Sequence, residues 1–182
     1  MTRVFTRSFK PLYGQPCWGV GAGVGSFLTL EFGNPNLIIR EPREPRSEVS
    51  PRVRKLLSRR NVTIHGEWHL WIYCCNWTVH KDGKLIGDGT TKQRIKRAAE
   101  FLDGQQLQSF RFAHRGCRST FGFDLGGVLE TRPYDRDHAS DQWLLFQPSG
   151  KVLVLRADRT YSHNSGSAPP NTERWIPIAE TA

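Results

Sequence analysis

His65, Glu67 and His69 are the residues with the most pointed chemistry in the chain. On an extended strand the positions i, i+2 and i+4 share one face. Two imidazoles and a carboxylate are donors suited to a divalent cation such as Zn²⁺ or Fe²⁺. Successive members of such a stripe stand about 6–7 Å apart, so neighbours converge more readily than all three. A further ligand from another strand, with His80 and His114 as candidates, would strengthen the site. The plainer reading is a set of polar side chains at the end of a central strand, so metal binding is left open.

Other constellations are less complete. Asp135, Asp137, His138 and Asp141 offer cation-binding oxygens but lack the glycine and terminal glutamate of an EF-hand loop. His114 and Cys117 are the types for a base and a nucleophile, with no orienting group in view. The run 19–26, GVGAGVGS, places Ser26 where a dinucleotide fingerprint needs its third glycine and is followed by a strand pattern, so a turn or bulged strand is expected. No G-x-S-x-G, H-E-x-x-H or Walker motif occurs. The motifs thus give no positive signal for an enzyme, which leaves enzymatic activity open with the balance against it, and no cofactor is expected. Cys17, Cys74, Cys75 and Cys117 form no C-x-x-C pair and read as small buried hydrophobes in a reducing, cytoplasmic setting.

Charge is the stronger lead. The chain has 26 Lys and Arg against 17 Asp and Glu, a net of +9. Residues 43–60 hold seven basic side chains and two acidic ones, a net of +5. The segment 92–102 adds four basic and one acidic, a net of +3. Arginine dominates the first segment, which suits bidentate contacts to carboxylate or phosphate. Arg52, Arg54, Lys55, Arg59 and Arg60, with Lys92 and Lys96, are the candidate partner-binding residues, and an acidic protein surface or a nucleic acid is the expected partner. Aromatic residues do not interleave with the arginines, which argues against base stacking on a single strand.

These residues need a scaffold, and 182 residues suffice for one domain with a core that needs no disulfide staples. No apolar run approaches the roughly 20 residues of a membrane helix, and no secretory h-region opens the chain. Strand patterns dominate. Residues 27–32 alternate, and GNPN at 33–36 is expected to turn the chain into 37–39. Residues 62–79 read as one long strand covered on both faces. Asp82-Gly83 marks a hairpin turn. Later strand patterns occupy 110–112, 120–125, 128–131, 143–146 and 151–155. A helix is predicted over 92–102, capped by Thr90 or Thr91 and stopped at Gly104. A shorter one follows Ser50-Pro51, with Val53, Leu56 and Leu57 expected to dock it on the body. The chain to Pro16 and the tail from His163 read as irregular, though Trp175 to Ile178 can pin the tail.

Leu30 to Trp71 and Phe123 to Phe146 match with one register change. Trp68–Trp71 then corresponds to Trp143–Phe146, and Gly83-Lys84 to Gly150-Lys151. The match suggests a repeat of 18–87 and 117–161 with a helix at 90–103 between the two, and it isolates 43–60 as an insertion in the first half. The expected fold is β-rich α+β: mainly antiparallel sheets from two similar units bridged by one main helix. In architecture this resembles small bacterial β-rich binding proteins, immunity-type proteins among them, and the likeness carries no functional residue across. The expected function is non-enzymatic binding of an acidic partner through the basic insertion and helix face. Nucleic-acid binding is the alternative, and a metal-dependent enzyme at His65, Glu67 and His69 comes third.

Overall fold

The computed structural model describes residues 3–44, 48–135, 139–169 and 172–179. The fold is β-rich α+β, with 49% strand, 18% helix and two antiparallel sheets. Alternating burial along the strands dictates this: Leu28, Leu30 and Phe32 turn one way with Leu70 and Ile72, and Phe121, Phe123 and Leu129 meet them from the other sheet.

The first sheet begins with β1 (Trp18–Ala22), β2 (Leu28–Arg40) and β3 (Asn61–Ile72). It continues through β9 (Asp141–Phe146), β10 (Lys151–Arg156), β11 (Thr160–Ser165) and β12 (Ile176–Pro177). The second has the order β5 (Lys84–Asp88), β4 (Asn76–Lys81), β8 (Gly127–Arg132), β7 (Arg118–Phe123) and β6 (Leu107–Ala113). The first sheet thus joins three consecutive strands from the first half of the chain to four from the second, and the second sheet joins two from the first half to three from the second. The Trp143 indole bridges the layers by donating to Ser119 Oγ at 2.9 Å.

Helices close the two open sides. The helix α3 (Lys92–Leu102) is capped by Thr91, whose Oγ1 accepts from Arg94 N. It buries Ile95, Ala98, Ala99 and Leu102 along the edges formed by β1 and β5. The opposite side is closed by α1 (Arg3–Phe9), in a stretch expected to be irregular. Phe5, Phe9 and Leu12 are fully buried at helical spacing. Phe9 stacks on Phe110 at 4.0 Å, and Phe5 meets Phe110, Phe112, Trp143 and Tyr161 edge-on. These six aromatic rings supply much of the core's specific packing.

Three further expectations are corrected. The segment 62–79 is two strands: after Ile72 the chain leaves the first sheet, and Asn76 starts β4 in the second. The tail from His163 includes the end of β11, while Ile176 pairs with Tyr161 and Ile178 is buried. The two segments matched in the expected repeat, Trp68–Trp71 and Trp143–Phe146, lie side by side, with Leu70 and Trp71 paired to Leu145 and Leu144 across one sheet. Finally, GNPN at 33–36 does not reverse the chain. The β2–β3 ladder runs from Leu28↔Ile72 to Phe32↔Trp68, shifts register, and resumes from Pro35↔Gly66 to Arg40↔Asn61. Gly33, at φ +77°, and Asn34 form a bulge in which β2 carries one extra residue.

Candidate functional site

Beyond the bulge, β2 and β3 continue as a two-stranded arm. Leu37↔Ile64 and Ile39↔Val62 are direct cross-strand pairs, so their four side chains lie on one face. By strand alternation this is the side that carries Trp68, Leu70 and Ile72 nearer the body. Here, however, Leu37, Ile64, Ile39 and Val62 are 65%, 57%, 55% and 52% exposed. A cluster of apolar side chains left in water makes this face a candidate interaction surface.

The basic insertion connects the strands at the arm's tip. It contains α2 (Pro51–Leu57), begun by Ser50, whose Oγ accepts from Val53 N, and by a first-turn proline. None of its residues is buried, and Val53 and Leu56 are exposed, so they do not dock the helix onto the body as expected. Seven residues with two exposed leucine-class side chains cannot bury enough surface to hold a position against the body. Arg52, Arg54, Lys55 and Arg59 are exposed and form no ion pair among the described residues. Arg60 pairs with Glu41 at 2.9 Å, with both side chains largely exposed. Arg46 lies outside the described residues. Lys92 and Lys96 stand on α3, a separate element, where Lys96 approaches Glu100 at 3.6 Å.

At the arm's root the donors are brought together differently from the sequence stripe. Glu31 on β2 lies opposite His69 on β3. Its Oε1 is 2.9 Å from His65 Nδ1 and 2.5 Å from His69 Nδ1, and its Oε2 accepts from Gly66 N at 2.9 Å. Glu31, His65 and His69 each offer one donor atom, all within 4.8 Å of one another. Glu67 is directed instead to the bulge, where it accepts from Asn34 N at 3.1 Å and from Asn34 Nδ2 at 3.4 Å. The bulge explains the substitution of partners, because the extra residue in β2 places Asn34 beside Glu67. Gly66 is required here, since a Cβ on it would lie 2.3 Å from Phe32 O. Burial opposes ionisation of Glu31, but the His69 ring, the Gly66 N–H and the His65 ring outweigh it and hold the carboxyl below its ordinary range. Glu31 had no sequence signal, being 34 residues from His65; only strand register reveals it.

The remaining candidates separate cleanly. Cys117 donates to Arg156 O and accepts from Gln142 Nε2 at 3.0 Å, and burial pushes its thiol up to about 11, which suits a structural thiol and not a nucleophile. Cys17 is pushed up to about 12 by burial, and Cys75 is raised for the same reason. Gly19 lies in a bulge of β1, and 23–26 turn the chain into β2. Asp137 and His138 lie outside the described residues. Asp141 is itself raised by burial. Sequence distance also concealed a basic hollow of about 520 Å³, in which Arg3 and Arg7 of α1 meet Lys151 and His163. No described helix is long and apolar enough to cross a membrane. No family model, curated protein or solved structure matches the chain, so any function must be argued from its own residues.

Proposed function

We propose that this chain is a non-enzymatic binding protein whose β2–β3 arm and basic insertion engage an acidic protein partner. One observation carries the reading: four exposed aliphatic side chains share a face of the arm that ends in an arginine-rich insertion. Arg52, Arg54, Lys55, Arg59 and Arg60 would contribute charge-assisted contacts and faster encounter, while Leu37, Ile39, Val62 and Ile64 would contribute apolar burial. At about 25 cal/mol per Å², burial of such side chains is a substantial part of a binding free energy. Phosphate recognition has no use for that apolar face, which is why a protein surface is preferred to nucleic acid. Lys92 and Lys96 would add a second contact only for a partner large enough to span both elements.

The test is co-purification from the native host with nuclease treatment in parallel, followed by the variant Arg52→Ser, Arg54→Ser, Arg59→Ser and Arg60→Ser. The reading predicts a nuclease-resistant, acidic partner that the variant fails to retain while its Tm is unchanged. Retention by the variant would contradict the reading. A nuclease-sensitive ligand whose affinity falls steeply with salt would establish nucleic-acid binding in its place.

A further inference from the structure

The Glu31–His65–His69 cluster has a feature that its own hydrogen bonds do not explain. His69 is only 9% exposed, and neither ring nitrogen has a hydrogen-bond partner. Its Nδ1 lies 2.5 Å from Glu31 Oε1 as a close ion-pair contact, and its Nε2 is left with no partner among the described residues. Buried polar atoms without partners are costly and uncommon in native structures. Here the unpartnered imidazole is aimed at a carboxylate that a second imidazole also faces.

The ring positions are fixed by their surroundings. His69 lies against Trp71 and Phe146, with ring centroids 5.4 Å and 5.7 Å away. His65 meets His69 edge-on at 5.0 Å. Glu31 is anchored through its other oxygen by Gly66 N. Such outer contacts orient ligands before a cation arrives. His65 keeps 31% of its side chain accessible, which leaves the cluster open to entry and to a solvent ligand on that side.

We infer that Glu31, His65 and His69 form a three-ligand site for a divalent transition metal of the Zn²⁺ class, at the point where the arm leaves the body. Bond lengths of about 2.0–2.2 Å in a tetrahedral site put donors about 3.3 Å apart. The two nitrogens need to retreat from Glu31 Oε1 by only about 0.4–0.8 Å to reach that spacing. Binding requires neutral imidazoles and an ionised carboxylate, and it gives one of the two His69 ring nitrogens a partner. The cation would join β2 to β3 across the bulge. This inference is independent of the partner proposed for the arm.

The experiment is calorimetric titration of tag-free protein with Zn²⁺, with Co²⁺ absorption as a coordination readout. One equivalent is expected to bind. His65→Ala and Glu31→Gln should each weaken binding at least tenfold and remove the low-coordinate Co²⁺ bands, whereas Glu67→Gln should stay within twofold. Should Glu31→Gln fail to fold, His65→Ala alone decides, because that side chain is partly exposed. Absence of stoichiometric binding, or binding that His65→Ala leaves intact, would overturn the site. Weakening by Glu67→Gln without weakening by Glu31→Gln would overturn the assigned carboxylate.

Discussion

The two ends of the β2–β3 ladder contain the same kinds of residue on the same face and meet opposite fates. Near the body, Leu28, Leu30, Phe32, Leu70 and Ile72 are fully buried beneath the second sheet. Past the bulge, Leu37, Ile39, Val62 and Ile64 are more than half exposed. Neither strand propensity nor hydrophobicity separates the two groups, since both suit strands equally well. The presence of a second layer separates them. An aliphatic face at the body end stabilises the fold, and the same face on the arm contributes almost nothing to it. The proposed use of that face is contact with a partner.

The largest expected effect breaks the body end. Phe32→Ala removes a fully buried ring and should cost about 3–5 kcal/mol, read by denaturant unfolding. By contrast, Leu37→Ala should change stability by less than about 0.5 kcal/mol. Equal costs at the two positions would show that the arm is packed against something after all.

The junction should be nearly as sensitive as the core. Gly66→Ala forces a methyl group against the Phe32 backbone, so a loss of about 1–3 kcal/mol is expected, with the ladder beyond the bulge loosened as seen by hydrogen exchange. A neutral result would mean that the strands can part at the bulge without disturbing the body.

Acid should act on the body before the arm. Burial opposes ionisation of Asp88, but hydrogen bonds from Thr90 and the Arg94 guanidinium, 2.6 Å away, hold its carboxyl below the ordinary range. A carboxyl lowered in the folded state stabilises it above its unfolded value, and that contribution is lost as the pH falls through the folded value. Asp88→Asn should therefore reduce Tm at neutral pH and flatten its dependence below about pH 4. Parallel Tm–pH curves for variant and parent would contradict this.

The smallest effect lies at the arm's tip. Ser50→Ala removes the cap of α2 and should cost that helix about 1 kcal/mol locally. Because α2 buries nothing, the global Tm should not move. A fall in Tm would mean that the insertion docks on the body.

Much of this contrast was legible in the chain itself. The Asp82-Gly83 turn, the Thr91-capped α3 and the alternating strands depend on neighbours in sequence, so local chemistry defines them. The basic character of 43–60 is likewise a property of composition. What escaped depends on partners distant in sequence. Glycine, asparagine and proline make turns and bulges alike, so 33–36 could be resolved only by the β3 register on both sides of it. The same register placed Glu31, and not Glu67, between the two histidines. The α1 helix and the 3-10 turn Lys10–Leu12 after it did carry a signal, Phe5, Phe9 and Leu12 at spacings of four and three, but their polar surroundings obscured it.

The central claim is that the arm's apolar face is kept for a partner. Its most direct test is the combined variant Leu37→Thr, Ile39→Thr, Val62→Thr and Ile64→Thr, which preserves β-branched character while removing the apolar face. Co-purification should lose the acidic partner retained by the parent, with Tm within a few degrees of it. Undiminished retention of that partner by the variant would contradict the claim.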